Sequence, residues 1–388
     1  MRIAVIGRGT AGALTAAKMY STFNGEYEII WHYDSSIKPQ SVGEGSALPL
    51  LSTLNGLNWS YSDMDAIDSN YKVGIHKSGW GKNTKPFDHN FLPGTTALHF
   101  NAVQLQNYIF NKIKDKVTLV DGKVTSHDDI DADYIIDCSG KPFNYDEFEE
   151  SPFIPINSAY VTQCPWEYPR FQHTLTVTRP YGWIFGIPLK NRCSIGYMFN
   201  SDINSLDEVK EDVKDVFEQY NLVPSDKTNF LQFKNYSRKV NFQGRVSYNG
   251  NASFFFDPLE ATSITNIDNV GRFAYNHMLG LWDDSYAEFE YHKKLYESQA
   301  VIMLHYFAGS DYDTDFWKYA TMKGEQCIRD AVHDPDLKPF IDTLSEYNSL
   351  GEIQLDGTDY GTWWKGSFYQ NIKSLGIEQK IKKLYNGI

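Results

Sequence analysis

The feature that most constrains the fold of this chain is a glycine-rich turn near its start. An apolar run over residues 3–6 leads into Gly7-Arg8-Gly9-Thr10-Ala11-Gly12, and a stretch of small, helix-forming residues follows. In a G-x-G-x-x-G between strand and helix, the glycines permit a tight turn, close approach of a pyrophosphate and close packing of the helix on the sheet. We therefore predict a dinucleotide site, against the alternative of an ordinary glycine-rich turn. Its cofactor-binding residues are Gly7, Gly9, Thr10, Ala11 and Gly12.

An acidic residue follows at the spacing expected for ribose binding. A second strand is predicted over residues 27–31, and Asp34 lies about 20 residues after the last glycine of the turn. A carboxylate at this place would accept hydrogen bonds from ribose hydroxyls. The alternative is a solvent-facing turn residue, because Asp34 comes three residues after the apolar run ends.

The charge balance excludes several classes of protein. The 388 residues include 49 acidic and 36 basic ones, for a net charge of -13. A protein that binds nucleic acid or an anionic membrane surface would be expected to carry the opposite balance. No apolar run approaches the roughly 18 residues of a membrane span. We expect neither a nucleic-acid partner nor a membrane partner.

The cysteines and histidines do not form metal-binding patterns. The four cysteines are widely separated in sequence, which argues against a zinc cluster, a C-x-x-C redox pair or a dense disulfide framework. The ten histidines show no H-E-x-x-H, so we expect no metal site. A reduced compartment fits these cysteines. Met1 leads directly into the first predicted strand, which leaves no room for a signal peptide, and we expect a cytoplasmic protein.

A second part of the nucleotide fold is predicted near residue 135. Residues 133–140 form an apolar strand that ends in a small-residue turn containing Ser139 and Gly140. Residues 117–120 and 123–125, joined by Asp121-Gly122, are predicted to form a hairpin before it. A dinucleotide fold that is interrupted and re-entered in this way resembles FAD-dependent hydroxylases more than NAD dehydrogenases.

Six segments, in order from residue 3 to about 320, resemble the flavin-dependent halogenases of the tryptophan halogenase family. They are similar to its patterns V-G-E-A-T-x-P, F-K-x-x-I-K-F-x-x-W, D-C-S-G, W-x-W-x-I-P, E-P-L-E-S-T-G and H-Y-F with D-D-T-P-F-W. The first segment combines the glycine-rich turn, residues 7–12, with residues 42–49. The next four are residues 71–80, 137–140, 182–188 and 257–263, and the sixth combines residues 305–307 with 313–317. Phe185 replaces the second tryptophan of W-x-W-x-I-P, and Ser263 replaces the last glycine of E-P-L-E-S-T-G. The chain is also shorter than typical members, which suggests a compact, for example virally encoded, member and puts free tryptophan in doubt as substrate.

The resemblance implies the fold and the reaction. The fold is α/β (α+β), an FAD-binding Rossmann-type flavin monooxygenase fold with an inserted sheet over residues 1–280 and a helical substrate cap over residues 281–388. The reaction uses FADH2, oxygen and halide to form hypohalous acid, which passes through a tunnel to an electron-rich aromatic substrate of indole or phenol type. Bromide and iodide are expected to be accepted because they are easier to oxidise than chloride. No second dinucleotide fingerprint is evident, so a separate NAD(P)H-dependent flavin reductase is expected as partner.

Lys72 is the first catalytic residue that the resemblance implies. A positioned ammonium can hydrogen-bond hypohalous acid, or the amine can form a haloamine, and either would hold the electrophile against one carbon. The strand pattern alone favours another interpretation. Tyr71, Val73 and Ile75 alternate with polar residues, which predicts that Lys72 lies on the polar face of a half-buried strand.

Glu260 is the second. The largely apolar residues 254–259 before it should disfavour its charge. In the family this glutamate lies near the lysine, where it can orient hypohalous acid or accept the proton that the arene loses. The alternative is an acidic residue at a helix start, favoured by the helix dipole. Backbone amides of Thr262 and Ser263 in the same turn are expected to bind the halide.

The remaining site residues come from the family segments. For the cofactor they are Gly43, Glu44, Ser139, Gly140, Trp183 and Phe256, beside those of the glycine-rich turn and Asp34. For the substrate they are Trp363, Trp364 and His305, and the alternative for the two tryptophans is an ordinary surface or packing position. Trp183 and Phe185 would obstruct direct oxygenation of the substrate, and the alternative is that both are core aromatics. Helices are predicted over residues 101–112, 285–306 and 325–332.

Two other functions stay open. A single-component FAD-dependent aromatic hydroxylase would reduce its own flavin with NADH. A non-catalytic flavoprotein would retain FAD and make no halogenated product, and the replacements at Phe185 and Ser263 leave room for it.

Overall fold

The structure is a computed structural model, and it describes residues 1–38, 44–92, 94–344 and 359–387. Gly43, predicted to bind the cofactor, lies outside the described residues. The strands in chain order are β1 (Arg2–Ile6), β2 (Glu28–Tyr33), β3 (Asn70–Lys72), β4 (Gly74–Ser78), β5 (Phe87–Asn90), β6 (Ala97–His99), β7 (Thr118–Asp121), β8 (Tyr134–Asp137), β9 (Phe148–Glu150), β10 (Ser158–Pro165), β11 (His173–Arg179), β12 (Gly182–Pro188), β13 (Arg192–Phe199), β14 (Thr228–Gln232), β15 (Tyr236–Arg238), β16 (Phe242–Gln243), β17 (Val246–Tyr248), β18 (Phe254–Phe255), β19 (Asp359–Tyr360) and β20 (Trp363–Trp364). The α-helices are α1 (Thr10–Phe23), α2 (Pro49–Asn55), α3 (Ala102–Ile113), α4 (Leu206–Gln219), α5 (Thr262–Met278), α6 (Asp284–Ala308), α7 (Asp315–Ala331), α8 (Lys338–Asp342), α9 (Lys365–Ser374) and α10 (Glu378–Tyr385).

The chain divides into two compact units, each built from separated stretches of sequence. The first unit comprises Met1–Lys72, Thr95–Glu150 and Tyr236–Lys294, and the second comprises Val73–Gly94, Ser151–Asn235 and Leu295–Ile388. The predicted division at residue 280 stays a prediction. Among the described residues, no helix is both long enough and apolar enough to cross a membrane.

The first unit is built on a six-stranded sheet in the order β16-β17-β8-β1-β2-β7. β1 lies inside the sheet and pairs in parallel with both β2 and β8. Four of its five residues are buried, as expected for a parallel strand covered on both faces. Because Ile6 is in register with His32 and Asp137, the three strands end at one edge of the sheet, where the glycine-rich turn begins. The predicted α/β fold is confirmed.

Helix α3 starts where its sequence provides a cap. The Asn101 side chain accepts hydrogen bonds from the backbone N–H groups of Val103 and Gln104. Such caps satisfy donors that the first turn of a helix leaves unpaired. The predicted helix over residues 101–112 is therefore confirmed within one residue at each end.

The predicted hairpin around Asp121-Gly122 is wrong. β7 pairs in parallel with β2 at the edge of the sheet, and residues 123–125 form no strand. The N–H of Gly122 donates to the carbonyl of Tyr33, so the chain is held beside β2 at the point where a hairpin would have turned back. Asp121-Gly122 is a local turn signal, whereas β7 pairs with β2, which lies about 90 residues earlier in the sequence.

The second unit contains a seven-stranded sheet in the order β14-β10-β13-β12-β11-β4-β5. Its neighbours pair antiparallel except β11 and β4, which are parallel. Val209, Val213 and Val216 of α4 share a buried cluster with residues of β12 and β13, including Ile184 and Ile195. Strands β10–β14 come between β9 and β15 in sequence and supply five of the seven strands of this sheet, which is the inserted sheet that the resemblance predicted.

The helices near the end of the chain are longer than the sequence pattern indicated. The helix predicted over residues 285–306 is observed as α6. The helix predicted over residues 325–332 is wrong at its start, because α7 begins ten residues earlier, at Asp315. Thr314 caps the helix by accepting a hydrogen bond from the N–H of Trp317, so a Thr-Asp pair marks its true start.

Candidate functional site

The glycine-rich turn has the geometry that its sequence predicts. Gly7 has a φ of 101°, which favours glycine, and a Cβ there would lie 2.3 Å from the Cys138 carbonyl oxygen. A Cβ on Gly12 would lie 2.1 Å from the Gly7 oxygen, so only glycine lets α1 come this close. At Gly9 an added Cβ would meet nothing within 4 Å. The open space at Gly9, in front of the first turn of α1, fits the diphosphate of a dinucleotide.

Neighbouring elements of the first unit hold this turn in place. The indole N–H of Trp31 donates to the Gly7 carbonyl at 2.7 Å. The Gln106 side-chain amide on α3 donates to Thr10 Oγ1 at 3.1 Å. No side chain among the described residues caps α1 at Gly9, so its N-terminal turn remains suited to a ligand anion. Trp31 and Gln106 support the site but had no recognisable sequence signal.

Asp34 makes the contacts of a turn residue. Its carboxylate accepts hydrogen bonds from the backbone N–H of Ser36 at 2.9 Å and from the Ser36 hydroxyl. Those hydrogen bonds lower the pKa of Asp34. The carboxylate is therefore anionic near neutral pH, and it lies just past the end of β2. Its role toward a ribose stays a prediction.

The turn after β8 lies at the same edge of the sheet. The Asp137 carboxylate accepts hydrogen bonds from the Ser139 N–H and from His127 Nε2, both at 2.8 Å. Burial opposes ionisation of Asp137, but these hydrogen bonds outweigh it and lower the pKa of the carboxyl. Gly140 has a φ of 105° and faces open space. Ser139 and Gly140 thus form a fixed turn beside the nucleotide loop.

Lys72 is buried, and the polar, half-exposed strand face predicted from its alternation pattern is wrong. The side chain is 1% exposed, and its ammonium donates to the Ser46 carbonyl at 2.8 Å. The reason is that residues 70–78 form two strands in two sheets: β3 pairs with β6, whereas β4 joins the seven-stranded sheet. The alternation therefore spans a break between strands and does not define one face.

The carbonyl that receives Lys72 belongs to a segment fixed along β6. The backbone N–H and hydroxyl of Ser46 both donate to the Leu98 carbonyl. The Phe100 N–H donates to the Glu44 carbonyl at 2.9 Å. Glu44 is itself buried in the first unit, and its predicted contact with the cofactor stays a prediction. Hydrogen bonds between residues 44–46 and β6 thus fix the Ser46 carbonyl, and this carbonyl in turn fixes the Lys72 ammonium.

Glu260 lies in a turn with a strained backbone. Glu260 and the following Ala261 have φ values of 70° and 53°, a left-handed conformation that costs an L-residue about 1–2 kcal/mol. The turn is held by the Asp257 carboxylate, which accepts a hydrogen bond from the Leu259 N–H at 2.8 Å. The Glu260 side chain is buried, at 8% exposure. Strain of this kind persists where the surrounding structure determines it, and it clusters at functional sites.

The replacement of glycine by Ser263 requires no special backbone. Helix α5 begins at Thr262, and Ser263 lies within its first turn. The left-handed residues of this segment are the two that precede the helix. The departure from the family pattern therefore leaves the N-terminal turn of α5 intact.

Two helices of the first unit, α2 and α5, line one cavity. The segment with Ser46, which accepts the hydrogen bond from Lys72, leads into α2, and the turn with Glu260 leads into α5. Ser46 lies three residues before α2, and Glu260 lies two residues before α5. Pro49 of α2 and Ile264 of α5 line the same small cavity of the first unit. The two sequence segments, nearly two hundred residues apart, thus run into helices whose first turns lie together.

In the second unit, His305 lies in a buried cluster with a residue that sequence reasoning missed. His305 Nδ1 faces the carbonyls of Val301 and Ile302, so this nitrogen carries the hydrogen. Its Nε2 then accepts a hydrogen bond from the Lys77 ammonium at 2.8 Å. Lys77 also donates to Asn371 Oδ1 on α9. A fully buried lysine with such distant partners could not be recognised from local sequence.

The two predicted substrate tryptophans differ in burial. Trp363 is buried, and its ring lies 5.2 Å from the Lys77 ammonium and 5.6 Å from the His305 ring. Trp364 is only partly buried. Trp363 and His305 thus belong to one cluster, and their role toward a substrate stays a prediction.

Trp183 is a buried residue of the second unit. Its indole N–H donates to the Tyr306 hydroxyl at 2.9 Å, and its ring contacts Trp80 and Phe185. These contacts are those of core aromatics, which was the alternative interpretation. Phe256 is also buried, in the first unit. The predicted cofactor roles of Trp183 and Phe256 stay predictions.

The first unit has a glycine-rich loop between a parallel strand and a helix, and its sheet is interrupted in sequence by a second sheet. These features define the fold class, a Rossmann-type fold with an insertion. The chain belongs to the tryptophan halogenase family, whose model matches residues 2–118 and 109–334. The resemblance predicted from the six segments is confirmed.

Curated members of the family match over part of their length. The chain is 20% identical over 301 residues to the 7-chloro-L-tryptophan 6-halogenase KtzR of Kutzneria sp. (strain 744), which covers 72% of this chain and 55% of that protein. It is 28% identical over 145 residues to the tryptophan 7-halogenase RebH of Lentzea aerocolonigenes, covering 34% and 27% respectively. The chain thus spans about half, or less, of the length of the curated relatives it matches.

Solved structures share the fold. Xcc4156, a flavin-dependent halogenase from Xanthomonas campestris, has a TM-score of 0.77 and 18% identity and covers 100% of this chain and 93% of that chain. BrvH, a flavin-dependent halogenase from Brevundimonas sp. BAL3, has a TM-score of 0.74 and 19% identity, covering 97% and 90%. The flavin monooxygenase-type fold is therefore that of flavin-dependent halogenases.

Proposed function

We propose that this chain is a flavin-dependent halogenase that acts on an electron-rich aromatic substrate of indole or phenol type. The observation that carries the proposal is Lys72, a buried ammonium that lies in a family segment and bonds to a fixed carbonyl. Burying an ammonium is costly, and charged groups kept in such positions are candidates for function. Bound FADH2 would supply two electrons that activate oxygen, and oxygen would then oxidise halide to hypohalous acid, with FAD and water as the other products.

The glycine-rich turn would hold the FAD. Gly7, Gly9 and Gly12 supply the close backbone, and the start of α1 supplies the N–H groups that suit a diphosphate. The fixed turn of Ser139 and Gly140 is the second contact that we assign to the cofactor.

Lys72 would receive the hypohalous acid after its passage through a tunnel in the protein. The hydrogen bond to Ser46 fixes where the ammonium lies, so an electrophile bound to it would be held at a defined place. Holding the reactant in one geometry replaces a bimolecular encounter and suppresses reaction at other carbons. This positioning is the reason that we assign the catalytic role to Lys72.

Glu260 would accept the proton released by the substrate. The aromatic carbon forms a bond to the halogen as the halogen–oxygen bond breaks, and the leaving oxygen takes a proton from the Lys72 ammonium and departs as water. The ring proton passes to the Glu260 carboxylate and then restores the ammonium. The left-handed backbone at Glu260 and the burial of its side chain support this role, because strain of this kind clusters at functional sites. Next to it, the backbone amides of Thr262 and Ser263 at the start of α5 would bind the halide.

The partners follow from this chemistry. We assign the supply of FADH2 to a separate NAD(P)H-dependent flavin reductase, which suits a reaction in the cytoplasm. Bromide and iodide are expected to react faster than chloride because they are easier to oxidise and less strongly hydrated. Trp363, Trp364 and His305 remain the residues that we assign to the substrate.

The test is aerobic turnover with a reductase, FAD, NADH, one halide and a panel of indoles and phenols, read by mass spectrometry. We expect a mass shift equal to replacement of hydrogen by the halogen supplied. Only hydroxylated or unchanged arenes with chloride, bromide and iodide alike would contradict the proposal. Stopped-flow reduction of the protein-bound FAD by NADH without reductase distinguishes a single-component hydroxylase, which would reduce its flavin rapidly.

A further inference from the structure

Arg8, the second residue of the glycine-rich turn, is positioned on an aromatic ring. Its guanidinium carbon lies 3.7 Å from the ring centre of Phe110 on α3 and 5.6 Å from that of Tyr33, the last residue of β2. Its Nη2 donates to Asn107 Oδ1 at 3.1 Å. A guanidinium in this geometry is held by a cation–π contact and a hydrogen bond, and both fix its place beside the turn.

The ring beneath Arg8 is itself held. Phe110 packs against Trp31 and, edge to face, against Tyr33, with ring centres 5.6 Å apart in both pairs. Trp31 in turn donates its N–H to the carbonyl of Gly7. Strand β2, helix α3 and the turn therefore form one rigid support, and binding a ligand at Arg8 would cost little ordering of side chains.

The charge of Arg8 is suited to an anion. In the ranges 1–38, 44–92, 94–344 and 359–387, no carboxylate lies within ion-pair distance of its guanidinium. The group has five N–H donors, and Asn107 receives one of them. Arg8 lies between the open backbone at Gly9, which suits a diphosphate, and the end of β2, where such folds bind a ribose.

We infer that Arg8, on its support of Phe110 and Tyr33, binds the adenosine diphosphate half of FAD and so selects FAD over FMN. FMN lacks the adenosine and the second phosphate, so its binding would gain little from Arg8. The inference deepens the proposed function, because it rests on FAD as the cofactor of the same site. The inference is tested by flavin binding, whereas the proposed function is tested by halogenated product. Each can therefore fail while the other holds.

The test measures dissociation constants of the apo-protein for oxidised FAD and FMN by flavin fluorescence, with ADP and NADH as competitors. We expect R8Q to weaken FAD binding about 10- to 100-fold, the value of one charge-assisted hydrogen bond, and to change FMN binding little. The inhibition constant of ADP against FAD binding should rise in R8Q by about the same factor as the dissociation constant of FAD. R8K keeps the charge without the planar fork and should be intermediate.

Arg272 provides a matched control. It is an arginine of the first unit that also lies near an aromatic ring, Phe273, but on α5 outside the turn. R272Q should bind FAD as the wild type does, and circular dichroism shows whether each variant is folded. Unchanged FAD affinity in R8Q, or equal losses for FAD and FMN, would overturn the inference. NADH shares the adenosine diphosphate half and should compete about as well as ADP. Displacement of FAD by NADH at concentrations well below those at which ADP acts would assign the site to a nicotinamide dinucleotide and overturn the inference as well.

Discussion

Replacing Ala261 by glycine tests whether the turn before α5 is strained. Ala261 has a φ of 53°, where an L-residue loses about 1–2 kcal/mol relative to its ordinary conformation. Glycine has no such penalty, but it loses about 0.5–1 kcal/mol more backbone entropy on folding. The difference predicts that A261G stabilises the protein by about 0.5–1 kcal/mol, which is unusual for an alanine-to-glycine change.

Ala66 supplies the matched control. It is an exposed alanine in the 3-10 helix Tyr61–Ile67 of the same unit and has an ordinary backbone conformation. A66G should lose about 0.5–1 kcal/mol, because only the entropic cost applies. The two variants are therefore expected to shift the denaturation midpoint in opposite directions.

The assay is urea unfolding followed by circular dichroism and by tryptophan fluorescence. If the slopes of the transitions are unchanged, the midpoints report stability directly. A loss of stability in A261G equal to that in A66G would refute the strain. We also expect A261G to turn over more slowly, since a relaxed turn would hold the Glu260 carboxylate less firmly.

Three further experiments test other parts of the structure. N371L removes an acceptor from the buried Lys77 ammonium and should cost about 3–5 kcal/mol, whereas K77M removes the charge itself and should cost about 1–3 kcal/mol; urea unfolding in which K77M is the less stable variant would contradict this order. G12A places a Cβ 2.1 Å from the Gly7 oxygen, so FAD binding measured by fluorescence should be lost while the far-ultraviolet dichroism is retained, and tight binding in G12A would show the turn to be different. The pKa of Asp284 is lowered by hydrogen bonds from a backbone N–H and an imidazole, so its contribution to stability is present above the unfolded pKa of about 4 and disappears as the pH falls through the folded value. D284N should therefore flatten the acid limb of stability against pH, and an unchanged limb would remove Asp284 from the account.

The parts predicted correctly were those fixed by neighbouring residues. The glycine-rich turn is determined by which positions tolerate a Cβ, and the space around Gly7 and Gly12 agrees with the sequence pattern. The start of α3 follows from one capping asparagine, Asn101. Local chemistry of this kind needs no knowledge of distant contacts.

The errors arose where distant residues decide the structure. The alternation of polar residues around Lys72 predicted one strand, but residues 70–72 and 74–78 form two strands that belong to different sheets. The Lys77 cluster joins residues that are nearly three hundred positions apart, and no local pattern indicates such a contact. The left-handed backbone at Glu260 carries no glycine, which is the usual signal for it.

The role of Lys72 is measured by following flavin oxidation and halogenated product together in K72A. The reaction contains a flavin reductase, FAD, NADH, bromide and an arene that the wild type halogenates, and K85A serves as an exposed-lysine control. We predict that K72A oxidises reduced flavin as the wild type does but that its halo-arene falls by at least about 100-fold, while K85A retains both. Halo-arene formed by K72A at the wild-type rate would contradict the account.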